Sequence, residues 1–281
     1  MLGSRAVARK ILFPAQDVRV IVALSGFVEH RLVARDGVVV RALELRGATD
    51  ATVVVHFHNN REVAEDSVGI ARELATRGLG IVLVEYRGYG GSSDGSPSEQ
   101  GLYLDAEAVL DLLAARGVGP DRIVLWGTSL GTGVAAEMAR RGRGGRLVLV
   151  TPYTSIPDLV TDVAPFVPAG VLIGDHFDTL AKASAIEVPT IVVHGDADEI
   201  VPFRMGERIA AAIPAARLVR IVVFESPVLL QLDPVRIFGE RAHFAPAAAE
   251  PTPNVARDIE QLHCTDSREL EAGSGHVQLC E

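Results

Sequence analysis

Apolar positions along the chain switch repeatedly between two patterns. Short, nearly continuous apolar runs occupy Thr52 to Phe57, Ile81 to Val84, Arg122 to Trp126, Leu147 to Val150, Thr190 to Val193 and Leu218 to Phe224. Such runs read as strands covered on both faces, where no polar face survives. Between them, apolar residues recur every three to four positions. Asp66 to Arg77 places Val68, Ala71, Leu74 and Ala75 on one face, and Leu102 to Arg116 does the same with Leu102, Ala106, Val109, Leu110 and Leu113. Gly131 to Met138 and Arg204 to Ala212 read likewise as helices. Gly78 and Gly80 close the first helix, and Gly117 with Gly119-Pro120 closes the second. The alternation from 52 to 224 predicts an α/β fold with a mainly parallel central sheet and helices on both faces.

The flanks read differently. Val18 to Ala23 is a β-branched run, and Glu29 to Ala34 and Val38 to Leu45 flank Asp36-Gly37, a pair suited to a tight turn. This predicts an antiparallel edge ahead of the parallel strands. Pro152 to Asp178 carries Pro152, Pro157, Pro165 and Pro168 among scattered apolar residues, and reads as short helices forming a small lid. After Phe224 the patterns degrade. Ser226 to Gly239 has no clean period, Ala245 to Asn254 resembles a linker, and Asn254 to His263 suits a short capped helix. Residues 1–224 are therefore read as one domain, with the lid at about 152–178, and 225–281 as an irregular C-terminal segment. No internal repeat is visible.

Composition narrows the classes. The chain has 281 residues, 48% of them hydrophobic, enough for one large core. A net charge of −9 argues against nucleic acid as the main partner. No window reaches the roughly 18 uncharged apolar residues of a membrane span. The best stretch, Val18 to Val28, is short, contains Arg19 and runs into Glu29. Met1 to Phe13 carries Arg5, Arg9 and Lys10 without a long apolar stretch, so no secretory signal is expected. The two cysteines, Cys264 and Cys280, give neither a disulfide framework nor metal spacing. The expectation is a cytoplasmic protein without metal or cofactor.

Against this background one stretch stands out. Gly127-Thr128-Ser129-Leu130-Gly131 sits between the apolar strand ending at Trp126 and the helix opening at Gly131. G-x-S-x-G at a strand-to-helix turn lifts a serine above the sheet edge in a strained conformation, and glycines two residues either side remove clashing side chains. The helix behind it aims backbone N–H groups at the same point, which suits a developing oxyanion. In a chain with 27 glycines the pattern alone could arise by chance, and the bland reading is a glycine-rich loop. The strand before and helix after raise it above that.

Several stretches together resemble an α/β-hydrolase. They are His56 to Asn60, Glu85 to Ser92, Pro97 to Tyr103, Gly127 to Gly133, Tyr153 to Ile156 and His194 to Phe203, over roughly residues 30 to 215. Within that superfamily the chain resembles the small serine hydrolases that include bud-emergence-type proteins, depalmitoylases and lysophospholipases. The resemblance implies Ser129 as nucleophile and the backbone N–H of Leu130 as one oxyanion donor. The second donor is assigned to Asn60, in a loop where relatives read His-Gly-Asn and this chain reads His58-Asn59-Asn60. Asn tolerates left-handed backbone less well than Gly, so the loop shape is in question. The resemblance also implies Asp198 as the triad acid, with Asp196 the competitor; both also suit a plain turn.

Relatives carry the catalytic histidine in a Gly-x-Gly-His turn after the last strand. Here His243, His263 and His276 lie downstream of Asp198, and Gly273-Ser274-Gly275-His276 fits that pattern. His276 is taken as the base, after Arg268 to Glu271 as a last strand, with His243 the alternative. His56, His58 and His194 read as structural. Tyr86, Arg87 and Tyr89 read as shaping the pocket floor and loop, with Arg87 holding loop carbonyls or substrate. Asp105, Glu107 and Asp111 read as a solvated helix face. The expected activity is hydrolysis of carboxylic esters or thioesters through an acyl-enzyme on a small-molecule or lipid-like acyl substrate. The apolar lid residues Val160, Val163, Phe166, Val167, Val171, Leu172 and Ile173 point to an apolar acyl group. The alternative is a catalytically silent scaffold that binds a ligand or partner.

Overall fold

The computed structural model describes residues 9, 12–14, 24–92 and 95–223, together with the backbone of strands 268–272 and 275–280. The predicted strand Val18 to Ala23, the linker, the short helix near 254–263, His243 and His263 lie outside the described residues.

Ten strands form one sheet in the order β1-β2-β4-β3-β5-β6-β7-β8-β10-β9. β1 (Val28–Val33) and β2 (Val39–Leu45) make the antiparallel hairpin expected around Asp36-Gly37, with Gly37 at φ +87°. β2 then pairs antiparallel with β4 (Gly80–Glu85). β4, β3 (Val53–Phe57), β5 (Ile123–Thr128), β6 (Arg146–Val150), β7 (Thr190–Gly195) and β8 (Ala216–Val223) run parallel. The far side is antiparallel again. β10 (Gly275–Cys280) lies along β8, and β9 (Arg268–Ala272) lies along β10.

The pleat sorts the apolar runs onto two faces. Val55, Phe57, Val82, Val84, Leu125, Leu147 and Leu149 share one core with α2 (Glu99–Ala115), α3 (Leu130–Arg140) and α7 (Phe203–Ala212). Val54, Ile81, Leu83, Val124, Trp126 and Val148 point the other way, where α1 (Val68–Thr76) packs Val68, Ala71 and Leu74. A single 3-10 turn, Ala64–Ser67, leads into α1. Gly78 at φ +80° and Gly117 at φ +78° end α1 and α2, as the sequence suggests.

The segment 152–178, predicted as a lid, holds the short helices α4 (Ile156–Val163) and α5 (Ala169–Leu172), and α6 (Thr179–Ala183) follows it. Ser155 caps α4 by accepting the Asp158 N–H. Asp175 and Glu99 lock the end of the lid to the start of α2: the Glu99 N–H donates to Asp175 and the His176 N–H donates to Glu99. Arg204 at the start of α7 ion-pairs with Asp162. Within the lid, Ile173 packs into the core, whereas Phe166 and Val171 are exposed.

Candidate active site

All six parallel strands deliver their C-terminal ends to one edge, the edge where open α/β sheets build their sites. β5 ends there and turns into α3 at Ser129, whose backbone sits at φ 48° and ψ −114°. This is a positive-φ conformation that a residue with a Cβ adopts only under constraint. The constraint is visible. A Cβ on Gly127 would run into the Gly131 carbonyl, and one on Gly131 would run into the carbonyls of Phe57 and His58. The start of α3 thus lies directly on the end of β3. The Ser129 N–H donates to the Val150 carbonyl at 2.9 Å, and Thr132 returns two hydrogen bonds to the Ser129 carbonyl.

The loop after β3 is held from several sides. The Tyr86 hydroxyl donates to the His58 carbonyl and the Tyr89 hydroxyl to the Asn60 carbonyl, each at 3.2 Å. Asn59 makes a local turn, its side-chain oxygen accepting the Arg61 N–H at 2.7 Å. Asn59 is not among the positive-φ residues, so replacing the relatives' glycine costs the loop no backbone strain. The backbone N–H groups of Asn60 and Leu130 donate to no described residue. Tyr86 and Tyr89 therefore do shape this loop, through its carbonyls.

Asp198 stands in the turn after β7. Its Oδ1 accepts the N–H groups of Ile200 and Val201, each at 2.9 Å, which fixes the carboxylate and leaves Oδ2 toward the interior. Oδ2 lies 3.8 Å from Nε2 of His194. The competitor Asp196 is engaged by the Arg220 guanidinium at 3.0 Å. Ser129 and Asp198 follow strands two places apart, so strand spacing separates their anchors by about 10 Å.

For His276 the backbone alone is described. It is the second residue of β10 and pairs with Glu271 of β9. Arg268–Ala272 is indeed a strand, but His276 lies within the next strand rather than in a turn. Its neighbour Val277 pairs with Val223, so His276 sits at the C-terminal end of β8, on the same sheet edge as Ser129 and Asp198. Four strand steps separate β10 from β5.

The three remaining sheet-edge histidines are buried. Burial lowers His56 to about 3, with His58 adding to the effect, and its ring packs edge-on to Trp126. Burial lowers His58 to about 4, against the opposing pull of the Asn59 carbonyl 2.6 Å from Nδ1. His194 is also lowered by burial and donates from Nε2 to the Val201 carbonyl at 2.8 Å. Among the described residues no group of His, Cys, Asp and Glu is arranged to hold a metal.

Two sequence readings need correction. Asp105 and Glu107 are not a solvated face: Asp105 is fully buried and Glu107 nearly so. Arg87 reaches Asp105 at 2.7 Å, and Arg141 and Arg143 cover Glu107 at 3.3 and 3.0 Å. Asp111, near the end of α2, is half-exposed beside Arg143. Arg87 in turn holds carboxylates, Asp36 and Asp105, and not loop carbonyls.

The match to solved structures decides the fold. An esterase from Pyrococcus furiosus superposes with a TM-score of 0.63 over 80% of this chain and 93% of its own, at 16% identity. The chain has the α/β-hydrolase fold. Residues 47–177 match the family model described as "Serine aminopeptidase, S33". An uncharacterised protein of Mycobacterium tuberculosis is 38% identical over 57% of this chain and 60% of its own length. A Danio rerio protein named lysophosphatidylserine lipase ABHD12 is 30% identical over 56% of this chain and 46% of its own. The chain thus spans about half to three-fifths of the length of these curated relatives. No helix among its described residues is long and apolar enough to cross a membrane.

Proposed function

We propose that this protein is a serine hydrolase that cleaves carboxylic esters or thioesters through an acyl-enzyme on Ser129. The observation that carries the reading is the backbone of Ser129, held at φ 48° between two glycines that admit no side chain. Strain of that kind persists where it serves to present a side chain. In the proposed reaction the Ser129 Oγ attacks the substrate carbonyl carbon while its proton passes to an imidazole. The carbonyl oxygen gathers negative charge and receives the N–H groups of Leu130 and Asn60. Collapse expels the alcohol or thiol, which takes the proton from the imidazolium. Water then repeats the sequence on the acyl-enzyme.

Asp198 is proposed to orient the imidazole, and His276 to supply it. The names of the relatives, a lysophosphatidylserine lipase and an esterase, support an ester substrate. The exposed Phe166 and Val171 on the lid support an apolar acyl chain.

Labelling with a fluorophosphonate probe tests the reading. Wild type is expected to label, Ser129→Ala not at all, and His276→Ala at a strongly reduced rate. Labelling that survives His276→Ala but falls in His243→Ala moves the base to His243. Folded wild type that fails to label removes the hydrolase reading and leaves a binding scaffold.

A further inference from the structure

Beneath the loop that carries Asn60 lies a buried charge cluster for which the proposed reaction has no use. Arg41 on β2 is almost completely buried. Its guanidinium lies 2.7 Å from Glu65 in the 3-10 turn before α1, 3.0 Å from Glu29 on β1 and 3.4 Å from Glu85 at the end of β4. Glu29 is partly solvated, whereas Glu65 is buried and Glu85 fully so. The sealed part of the cluster therefore holds one cation and two carboxyl groups. Arg41 pairs most closely with Glu65, leaving Glu85 the carboxyl with the least compensation. An ionised carboxylate there, with the Arg41 guanidinium and the Ala64 N–H each at 3.4 Å, would be a weakly compensated buried charge, which a protein ordinarily relieves by keeping the proton.

The other side of Glu85 says where that proton is directed. His58 Nε2 lies 3.6 Å from Glu85 Oε1, and neither atom has a hydrogen-bond partner among the described residues. His58 Nδ1 is 2.6 Å from the Asn59 carbonyl and must carry a hydrogen to make that contact. In the neutral ring Nε2 is then an acceptor. Two acceptors facing each other in a sealed space need one proton between them, and an approach of about 0.6–0.9 Å makes the bond. The loop after β4 closes over the pair: Gly90, at φ +46°, packs so tightly on the Glu85 carboxyl that it has no room for a Cβ. Tyr86 and Tyr89 enclose the His58 ring, with centroids 4.2 and 5.4 Å away.

We propose that Glu85 is a positioning residue: its protonated carboxyl donates to His58 Nε2 and so holds the Asn59–Asn60 backbone where the Asn60 N–H meets the oxyanion. The inference rests on the hydrolase reading above and adds a pH-dependent element to that site. Burial, reinforced by Glu65, raises Glu85 to about 7, against the Ala64 N–H, Arg41 and the Gly91 N–H, which favour the anion. The titratable groups facing Glu85 are Arg41 from β2, Glu65 from the 3-10 turn, His58 from the loop after β3 and Tyr89 from its own loop. Glu29 and Glu62 stand one contact further out, on Arg41 and on the Asn59 N–H. Above the Glu85 transition the carboxylate faces the His58 lone pair, the contact turns repulsive, and the loop loosens.

The experiment is paired infrared and kinetic titration of wild type, Glu85→Gln and Glu85→Leu, with Ser129→Ala as control and a short-chain p-nitrophenyl ester as substrate. A Gln amide donates to Nε2 at every pH; Leu never does. Wild type should show a protonated-carboxyl C=O band that disappears as pH rises through neutrality and is missing in Glu85→Gln. Its kcat should fall over the same range, with KM little changed. Glu85→Gln should hold kcat within about threefold of the wild-type value at pH 6 and lose the alkaline fall. Glu85→Leu should lose about tenfold or more in kcat, up to the roughly 10²- to 10³-fold that outright removal of an oxyanion donor costs. A missing carboxyl band, or an alkaline fall unchanged in Glu85→Gln, overturns the proposal. Should Glu85→Leu fail to fold, the Gln variant alone decides it. Hydrolysis that survives Ser129→Ala while the carboxyl band is present would instead overturn the reading of Ser129 and support the shared proton.

Discussion

The hydroxyl of Tyr153 donates to the carbonyl of Leu130 at 3.2 Å, joining the first residues of the lid to the first turn of the helix behind Ser129. Both residues are buried, so that carbonyl has no water to turn to. The same hydroxyl is packed against Gly133, where a Cβ would stand 2.6 Å from it. Tyr153→Phe keeps the ring and removes the bond. The expected cost is about 1–2 kcal/mol, read as a lowered urea midpoint with unchanged slope.

Ser129→Gly should separate stability from activity. Glycine occupies φ 48° without the penalty that serine bears, so the variant is expected to be more stable by about 1 kcal/mol. It should lose all fluorophosphonate labelling. Thermal unfolding of the purified variant beside Ser129→Ala checks the sign: only the glycine variant relaxes the backbone.

The two aspartates after β7 should behave differently. Asp198→Asn retains an oxygen for the Ile200 and Val201 amides but loses the charge that would hold an imidazolium, and kcat is expected to fall about 10³- to 10⁴-fold. Asp196→Asn weakens the pair with the half-exposed Arg220, for an expected change below about 1 kcal/mol in stability and about twofold in kcat. Steady-state kinetics of the two variants side by side would test this; equal losses would reverse the assignment.

The buried histidines and Glu85 should tilt stability with pH in opposite directions over overlapping ranges. His56 is held near 3 and His58 near 4 in the fold, below the ordinary histidine value of 6.5. The unfolded chain therefore binds more protons between those limits, and stability falls as pH drops below about 6.5. Glu85 runs the other way: raised from 4.5 to about 7, its share is complete below 4.5 and lost as pH rises through 7. Urea midpoints at pH 5, 6 and 8 should show His56→Gln relieved of the acid loss, by an order of 1–2 kcal/mol at pH 5, and Glu85→Gln relieved of the fall that wild type takes between pH 5 and about 7.

Local patterns carried much of this architecture. The double-sided strands and the glycines at 127 and 131 were visible because a strand's burial and a turn's crowding are written in adjacent residues. The buried acids of α2 were not. Asp105 and Glu107 occupy positions that helical spacing alone assigns to solvent, and their partners come from the β4 loop and the end of α3. Glu85 was missed for the same reason, although one sign was present: an acid closing the apolar run Ile81 to Val84, while Arg41 interrupts the buried strand β2. Charges inside such runs need a partner, and only folding names it. The alternative histidines downstream of Asp198 stayed open because a triad base is chosen by where a loop returns, which no short motif encodes.

The hairpin of β9 and β10 has a consequence beyond the chemistry. Because β10 hydrogen-bonds to β8 from Arg220 to Val223, the C-terminal half of the last parallel strand presents no open row of amides and carbonyls to neighbouring molecules. An uncovered strand is a template on which other chains polymerise. Loss of residues 268–281 would bare that template, and the shortened protein would be lost to aggregates before its chemistry could be assayed.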